Sequence, residues 1–308
     1  MITDRKEFSQ VERKGGSYEV YQNAWMWQRL YLCGRQQGNY SRRTKAGACG
    51  GHVRRDGVIF INPSDQADFE MEMYNMDGSR AEMCGNGIRC VGKYVYDKGL
   101  TEKTKVSVIS CGRIKYLELT VERDGQCKND SRGTVSAVKV NMGSPILKAE
   151  EIPVVSKKEE VIDEEIIVEG KAYKMTCVSM GNPHAVFFLD DTESPLAGMK
   201  IEELPLEQIG PSFENHERFP KRINAEFVKV TDRDHIEMRV WERGTGETLA
   251  CGTGACASVC ACILNGLTNN QVAVKLLGGE LNIQWDREEN LIYMTGPAET
   301  VFEGEVKL

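Results

Sequence analysis

The alternation of apolar and polar residues predicts β-strands along most of the chain, beginning at Val58. Val58–Ile61 is a short apolar run that stops at Asn62-Pro63, and Phe69–Tyr74 alternates as a half-buried strand does. Helical patterns are fewer, and residues 1 to about 55 show no period of either kind. The other predicted strands are 106–109, 114–121, 135–140, 171–179, 185–189, 226–230, 235–241, 272–277, 281–285, 291–295 and 300–306, and the predicted helices are 81–97, 201–209 and 250–264.

These elements divide into two similar halves, and each half has many strands and one principal helix. We place the boundary near Asn141, where the sequence reads Asn-Met-Gly-Ser-Pro. Residues 1–140 then form an N-terminal lobe, to which 297–308 return, and residues 141–296 form a C-terminal lobe. The expected fold class is α+β, with two pseudo-symmetric strand-rich lobes that each wrap around a central helix and an active-site cleft between them.

Composition narrows the class of protein. The net charge of −7 argues against general nucleic-acid binding, which needs a basic surface. No apolar run approaches the roughly 20 residues that span a membrane, so no membrane partner is expected. The eleven cysteines are odd in number, and the polar start has no signal-peptide core, which favours a reducing, cytoplasmic location. With no Cys-x-x-Cys pair and only four histidines, no metal site is predicted.

Two near-copies of one motif mark the candidate chemistry. Met83–Cys90 and Ala250–Ala257 each contain a cysteine, Cys84 or Cys251, followed by Gly-x-Gly and a predicted helix. The glycines allow a tight turn and a close approach to a ligand, and the first helical turn adds unpaired N–H groups and a partial positive charge. We therefore expect both thiols to have a pKa below that of an ordinary cysteine and to be reactive.

The alternative for each cysteine is a buried packing role, which is the commonest fate of this residue. The duplication favours function, because Asn75 and Glu242 each precede their cysteine by the same nine positions. A polar residue at the same offset in both halves suggests one site that both copies serve.

Two thiols acting on one small ligand suit proton transfer at carbon. One thiolate removes a proton while the other thiol delivers one to the opposite face, which inverts the stereocentre without a cofactor. The N–H groups that follow the two cysteines are suited to hold a substrate carboxylate and its growing negative charge.

The motifs resemble those of the diaminopimelate epimerase family, from about Asp56 to the C-terminus. The resemblance is carried by Tyr74–Cys90, Gly181–His184 and Glu242–Ala255, which read YNMDGSRAEMCGNGIRC, GNPH and ERGTGETLACGTGA. It implies interconversion of LL- and meso-diaminopimelate without pyridoxal phosphate or another cofactor, in lysine and cell-wall synthesis. It also implies a diaminopimelate-sized small-molecule substrate and a homodimer.

The resemblance also assigns roles to individual residues. Cys84 and Cys251 match the two catalytic bases, and His184 and Glu242 match residues that tune their pKa values. The matched substrate-binding residues are Asn75, Gly85, Asn86, Asn182, Asn224, Glu242, Arg243, Gly252 and Thr253. Taken alone, the asparagines also suit turns or caps, His184 suits a core position and Arg243 suits a surface ion pair. The remaining cysteines are expected to be packing or surface residues.

The opening segment departs from the family, which begins with a strand and a His-Gly-x-Gly-Asn-Asp loop whose asparagine binds substrate. Trp25-Met26-Trp27-Gln28 is encoded only by TGG ATG TGG CAR, which reads Gly-Cys-Gly one base later. With permitted codons, residues 18–33 read Met-Lys-Phe-Thr-Lys-Met-His-Gly-Cys-Gly-Asn-Asp-Tyr-Ile-Tyr-Val in that frame. Our hypothesis is that residues 1 to about 50 are out of frame, which predicts weak or absent activity of the chain as written. The alternative is a divergent N-terminus.

Three other functions remain open from the sequence. Another two-cysteine racemase, such as a member of the proline racemase group, is disfavoured by Asn86, where that group carries histidine. A binding protein would keep the carboxylate-binding turns but lack the chemistry. A thiol redox protein would cycle Cys84 and Cys251, although no Cys-x-x-Cys pair supports it.

Overall fold

The structure is a computed structural model. It describes the backbone of residues 17–23, 30–35, 57–74, 79–80, 84–123 and 132–307, and the side chains from 58 to 300 within those ranges. The chain divides into two compact units, Met1–Val140 with Pro297–Leu308, and Asn141–Gly296. Each unit is a set of mostly antiparallel strands that packs on one long helix.

The first unit has one helix, α1 (Gly85–Asp97), among its described residues. Its strands are β1 (Ser17–Asn23), β2 (Leu30–Arg35), β3 (Gly57–Pro63), β4 (Phe69–Tyr74), β5 (Lys105–Ser110), β6 (Arg113–Glu122), β7 (Thr134–Gly143) and the last strand of the chain, β17 (Thr300–Lys307). They hydrogen-bond in the order β17-β1-β2-β3-β4-β5-β6-β7. The helix follows β4 and precedes β5, and these two strands are parallel, as a crossover helix requires.

The second unit contains two helices, α2 (Leu206–Glu214) and α3 (Gly252–Leu264), and a 3₁₀ turn at Ile201–Glu203. Its strands are β8 (Glu164–Val168), β9 (Lys171–Ser179), β10 (Pro183–Phe188), β11 (Asn224–Val230), β12 (His235–Glu242), β13 (Gly246–Thr248), β14 (Gln271–Leu276), β15 (Gly279–Asp286) and β16 (Leu291–Pro297). The order is β8-β9-β10-β11-β12-β14-β15-β16, with the short β13 also paired to β12.

The two units repeat one plan. In both orders the successive pairings are antiparallel, antiparallel, parallel, antiparallel, parallel, antiparallel and antiparallel. The helix that begins after a cysteine lies between the strands of the second parallel pair, which are β4 and β5 in one unit and β12 and β14 in the other. This confirms the predicted α+β class, in which strands dominate and each unit has one principal helix.

Helix α1 is buried along nearly its whole length because strands cover it. A Cβ added to Gly92 would lie 2.9 Å from Leu117 and 3.0 Å from Leu119, so the glycine lets the helix approach β6 closely. Lys93 is also buried, and its ammonium group bonds to Asp97 and to the carbonyl of Val135 at 2.7 Å each. These bonds satisfy a charge that burial would otherwise make costly.

Helix α3 is built mainly of small residues, Gly, Ala, Ser, Cys and Thr, and eleven of its residues are buried. Small side chains let several strands pack closely around one helix, which contacts β9, β10, β11, β12, β14 and β15. A separate cluster lies under α2, where the Phe213 ring packs against Phe187 and Phe227 with centroids 4.7 Å and 5.2 Å away.

Some sequence predictions need correction. The single helix expected over 201–209 is instead the 3₁₀ turn followed by α2, because Leu204 precedes Pro205 and is therefore held out of the helical conformation. The segment between the predicted strand 235–241 and the predicted helix 250–264 contains β13, which was not predicted. Strand β8 was not predicted, since its residues are mostly acidic or aliphatic without a marked period. The predicted helices at 81 and 250 begin at Gly85 and Gly252, one residue after their cysteines.

Candidate active site

Cys84 lies at the N-cap of α1. Its backbone is extended, with φ −117° and ψ 109°, and its sulfur accepts the N–H of Gly87 at 3.3 Å. A side-chain acceptor at this position normally satisfies one of the unpaired first-turn amides. Cysteine performs that role here, so the helix N-terminus directs an N–H dipole at the thiol.

The first turn of α1 is held by a buried arginine that the sequence analysis did not single out. Arg89 is 1% exposed, and its guanidinium donates to the carbonyl of Gly85 at 3.1 Å, to Asn86 Oδ1 at 3.2 Å and to the carbonyl of Pro297 at 3.4 Å. The arginine guanidinium is planar, always charged and carries several donors, so it can hold several acceptors in one arrangement. Its position five residues after Cys84 in the motif was the available signal.

Cys251 repeats this geometry in the second unit. It is the N-cap of α3, with φ −122° and ψ 110°, and its sulfur accepts the N–H of Gly254 at 3.3 Å. The hydroxyl of Thr253 lies 3.4 Å from the same sulfur. The Gly254 N–H donates to Sγ, and the Thr253 hydroxyl donates to it as well when Cys251 is a thiolate.

The expected lowering of the thiol pKa is wrong for Cys251. Burial raises the pKa of the Cys251 thiol well above its ordinary value, and the carboxylates of Glu242 and Glu226 raise it further. The bonds from Thr253 and Gly254 lower the pKa but do not outweigh these causes. Sequence spacing revealed the helix N-terminus, whereas the depth of burial and the two acidic neighbours depend on the tertiary fold.

A chain of polar side chains leads from this sulfur into the core. Thr253 Oγ1 accepts from Asn182 Nδ2 at 3.2 Å, and Asn182 Oδ1 lies 3.1 Å from His184 Nε2. His184 Nδ1 lies 2.6 Å from Glu226 Oε1, and both side chains are fully buried. Burial raises the pKa of Glu226, and the neighbouring His184 opposes that rise. Glu226 was not among the predicted site residues.

Glu242 precedes Cys251 by the same nine positions that separate Asn75 from Cys84. The hydroxyl of Thr248 donates to Glu242 Oε1. Burial raises the pKa of the Glu242 carboxyl, while the Thr248 bond and His184 lower it. Asn75 itself lies outside the described residues, so the proposed symmetry of these two side chains remains a prediction.

The predicted binding residues Asn224 and Arg243 are joined directly. Asn224 Oδ1 accepts the backbone N–H of Arg243, and Asn224 Nδ2 donates to the carbonyl of Pro183, each at 2.8 Å. The Arg243 guanidinium donates to the carbonyl of Lys221 at 3.3 Å. Asn224 therefore connects the Gly-Asn-Pro-His turn to the turn that carries Arg243.

Glu214 bonds to the same turn, and the sequence did not indicate it as a site residue. Its carboxylate accepts the indole N–H of Trp241 and the backbone N–H of Gly244 at 2.8 Å, and it bonds to Arg222 at 2.9 Å. It lies on α2, far from the motifs in sequence, and only the fold brings it to Gly244.

The other predicted site residues lie in the first turns of the two cysteine-capped helices. Gly85 and Asn86 form the first turn of α1, and Gly252 and Thr253 form the first turn of α3. Cys90, Cys177, Cys256, Cys260 and Cys262 are buried, Cys111 is exposed, and Cys127 lies outside the described residues. In the described part of the chain, no group of three metal-ligating side chains is present, and no helix has the length and apolarity needed to cross a membrane.

Comparison with known proteins identifies the family to which the sequence belongs. The family model for diaminopimelate epimerase matches residues 48–148 and 176–301. The diaminopimelate epimerases of Methanococcus maripaludis strain C5 and Acetivibrio thermocellus are each 56% identical, over 83% of this chain and 86% and 85% of their own.

Solved structures show the same fold at much lower identity. A hydroxyproline epimerase from Agrobacterium vitis, with bound trans-4-hydroxy-L-proline, has a TM-score of 0.64 at 12% identity, over 96% of this chain and 94% of its own. The family model and the sequence relatives are more specific than this likeness of fold. Together with the cysteine-capped helices, they show that the chain belongs to the diaminopimelate epimerase family.

Proposed function

We propose that this chain is a cofactor-independent epimerase that interconverts LL- and meso-2,6-diaminopimelate, in lysine and peptidoglycan biosynthesis. The observation that carries the proposal is the repeated N-cap, in which Cys84 and Cys251 each accept a first-turn amide through sulfur. A cysteine with only a packing role would not need to occupy the helix N-cap in both units. Family membership supplies the substrate class.

The chemistry follows from the two thiols. One sulfur, as thiolate, removes the proton from the α-carbon, and the other, as thiol, donates a proton to the opposite face. The removed proton stays on the first sulfur, so the two cysteines exchange protonation states with each turnover. The α-hydrogen of an amino acid is a very weak acid, and the transition state therefore needs preorganised donors for the negative charge that spreads to the carboxylate.

The first turns of α1 and α3 supply those donors. The amides at the start of a helix have no intrahelical carbonyl partner, and the helix dipole favours an anion there. We assign Gly85-Asn86 and Gly252-Thr253 to the carboxylate of the reacting centre. We assign Asn75, Asn182, Asn224, Glu242 and Arg243 to the polar groups of the remaining substrate.

The raised pKa of Cys251 fits a role as the proton donor in the resting state. Burial and two carboxylates favour the neutral thiol, which is the form that delivers a proton. The Thr253 and Gly254 donors then stabilise the thiolate that forms when the proton leaves. Glu242 acts on the same equilibrium through its charge, and His184 acts on it through the hydrogen bonds of Asn182 and Thr253.

One observation favours reduced catalytic activity of the chain as written. The family model begins to match at residue 48, and 83% of the chain aligns with its relatives. The opening segment, which in the family carries a substrate-binding asparagine, lies before that point. If the reading-frame hypothesis holds, the chain as written retains the two cysteines but lacks one substrate contact.

The test is conversion of the substrate by the pure chain without added cofactor. LL-diaminopimelate is incubated with the chain, and the meso isomer is resolved by chiral chromatography, with L-proline and trans-4-hydroxy-L-proline as competing substrates. The proposal expects meso-diaminopimelate from the chain that carries the alternative reading of residues 18–33, and less or none from the chain as written. Epimerisation of proline or hydroxyproline in place of diaminopimelate would assign the other racemase group.

A further inference from the structure

We propose that Glu226 is a positioning residue for Cys251, which holds His184 in the tautomer that orders a directed chain of hydrogen bonds ending at the sulfur. The inference deepens the proposed function and rests on it for its catalytic meaning. Its geometry is contained within the second unit. The roles assigned to His184 and Glu242 do not require Glu226.

The direction of each hydrogen bond, from donor to acceptor, follows from the atoms that make it. A carbonyl oxygen only accepts, so His184 Nε2 must carry the hydrogen of its 3.1 Å contact with Asn182 Oδ1. Asn182 Nδ2 then donates to Thr253 Oγ1 at 3.2 Å. Because that hydroxyl oxygen is already accepting, its own hydrogen is available to Cys251 Sγ at 3.4 Å.

Glu226 lies at the end of this series of hydrogen bonds that is farthest from Cys251. Its Oε1 lies 2.6 Å from His184 Nδ1, and one proton is held between these two atoms whether it resides on nitrogen or on oxygen. In both forms the pair is neutral overall and Nε2 keeps its hydrogen. Without the carboxyl group, the imidazole would be free to move its hydrogen to Nδ1, which would turn Nε2 into an acceptor facing the Asn182 oxygen.

The burial of Glu226 is difficult to explain by packing alone. The side chain is fully buried, and among the described residues its Oε2 has no hydrogen-bond partner. A buried unpaired carboxyl oxygen costs stability, and an apolar residue at this position in β11 would avoid that cost. A Cβ on Gly254 would lie 2.8 Å from Glu226 Oε1, so the glycine after Thr253 also leaves space for this carboxyl group.

Titratable side chains on four other elements bond to Glu226 or interact with its charge. His184 lies on β10, Cys177 on β9, Glu242 at the end of β12 and Cys251 at the start of α3. Burial is the first cause of the raised pKa of Cys177, and the Glu226 charge adds to it. The Glu226 charge also raises the pKa of the Cys251 thiol. The hydrogen bonds that Glu226 orders through His184 act in the opposite direction, because they end in a donor at Cys251 Sγ.

The direct test is the tautomer of His184, read by ¹⁵N NMR of the chain labelled in its histidines and assigned with His184→Gln. The proposal expects hydrogen on Nε2 in the unmodified chain and in Glu226→Gln, whose amide can donate to Nδ1. Glu226→Ala is expected to shift His184 to the Nδ1–H form or to a mixture. An unprotonated Nε2 in the unmodified chain, or an unchanged tautomer in Glu226→Ala, would overturn the proposal.

The second test follows the thiol itself. The rate of Cys251 alkylation by iodoacetamide is measured against pH by peptide mass spectrometry. Glu226→Ala is expected to slow it about tenfold below the midpoint, because one pKa unit changes the thiolate fraction tenfold. Glu226→Gln should restore most of the rate. The matched control is Glu164→Gln, which removes a carboxylate that pairs with Arg218 and should leave the profile unchanged.

A double variant tests whether Glu226 acts on Cys251 through Thr253 or independently of it. Thr253→Val removes the last donor, so Glu226→Ala combined with Thr253→Val should behave as Thr253→Val alone. Additive shifts in the alkylation profile would show that Glu226 acts by another route and would contradict the proposal. These measurements do not need turnover, so they remain informative if epimerase activity is absent.

Discussion

The backbone N–H of Arg243 donates to Asn224 Oδ1 at 2.8 Å, and this bond joins the first residue of β11 to the turn that follows β12. The same asparagine donates to the carbonyl of Pro183, so its amide group is committed on both sides. Asn224 is 4% exposed, and water has little access to replace either bond. The residue therefore holds the backbone of the two turns that carry Asn182 and Arg243.

Replacing this asparagine should affect both stability and activity. Asn224→Ala leaves the buried carbonyl of Pro183 and the part-buried N–H of Arg243 without this partner, and the buried group alone costs about 1–3 kcal/mol. We expect kcat/KM for diaminopimelate to fall at least about tenfold, since 1.4 kcal/mol is a factor of ten. Urea unfolding and steady-state kinetics measure the two effects.

The control for this prediction is Asn215→Ala. Asn215 also donates its amide to a backbone carbonyl, that of Pro211 at 2.8 Å, but the bond is exposed at the end of α2. It should change stability by less than about 1 kcal/mol and leave kcat/KM unchanged. Equal effects of the two substitutions on kcat/KM would show that the turns are not held by Asn224.

The two helix starts should respond differently to an added methyl group. On Gly254 a Cβ would meet Glu226 Oε1 at 2.8 Å and Cys251 Sγ at 3.3 Å, and the carboxyl is fixed by His184. On Gly87 it would meet the end of the Ile59 side chain at 2.6 Å, which can rotate away. We expect Gly254→Ala to reduce kcat/KM by more than tenfold and Gly87→Ala to reduce it less, because overpacking costs about 1–3 kcal/mol where relief is blocked. Kinetics that show the reverse order would refute this account of the second unit.

Stability should fall at alkaline pH because several thiols are buried. Burial raises the pKa of Cys262 from 9.0 to about 12 and raises that of Cys177 further. The unfolded chain loses these protons as the pH passes 9, while the folded chain keeps them, so stability present below pH 9 is lost as the pH rises toward the folded pKa. The slope is about 1.4 kcal/mol per pH unit for each thiol.

Urea unfolding at pH 8 and pH 10 measures that slope. The double variant Cys177→Ala with Cys262→Ala should show a shallower decrease, whereas Cys111→Ala, at an exposed position, should keep the slope of the unmodified chain. A slope that does not change in the double variant would mean that these thiols do not retain their protons in the folded state.

Sequence reasoning succeeded where local pattern determines structure. The alternation of Phe69–Tyr74 and the turn chemistry around Cys84 and Cys251 specify strands and helix starts without long-range information. It missed Glu226 and Glu214, because a buried carboxylate has no local signature and its role depends on a partner brought close by the fold. It also predicted the wrong direction for the Cys251 pKa, since burial outweighs the helix dipole there.

The internal repeat gives the reading-frame hypothesis independent support. Leu30 of β2 pairs with Gly57 of β3 in the same parallel arrangement in which His184 of β10 pairs with Asn224 of β11. The residues before His184 are Gly-Asn-Pro, and in the alternative frame positions 27–29 read Gly-Asn-Asp. The alternative frame therefore has an asparagine two residues before position 30, as Asn182 stands two residues before His184.

Sequencing the gene tests this directly. We expect codons for residues 18–33 that permit the alternative reading, with a single-base change that restores one continuous frame before Val58. Codons that forbid Met-His-Gly-Cys-Gly-Asn-Asp in the shifted frame would show that the divergent N-terminus is real.

The central claim is that Cys84 and Cys251 act as the two bases of one epimerisation. It is tested most directly by incubating LL-diaminopimelate in D₂O with the chain that carries the alternative reading of residues 18–33 and following isotope content by mass spectrometry at early times. The account predicts that newly formed meso-diaminopimelate carries one deuterium while the remaining LL isomer stays unlabelled, and that Cys84→Ala and Cys251→Ala each abolish conversion. Conversion that persists in either variant, or a product that retains its original hydrogen, would contradict it.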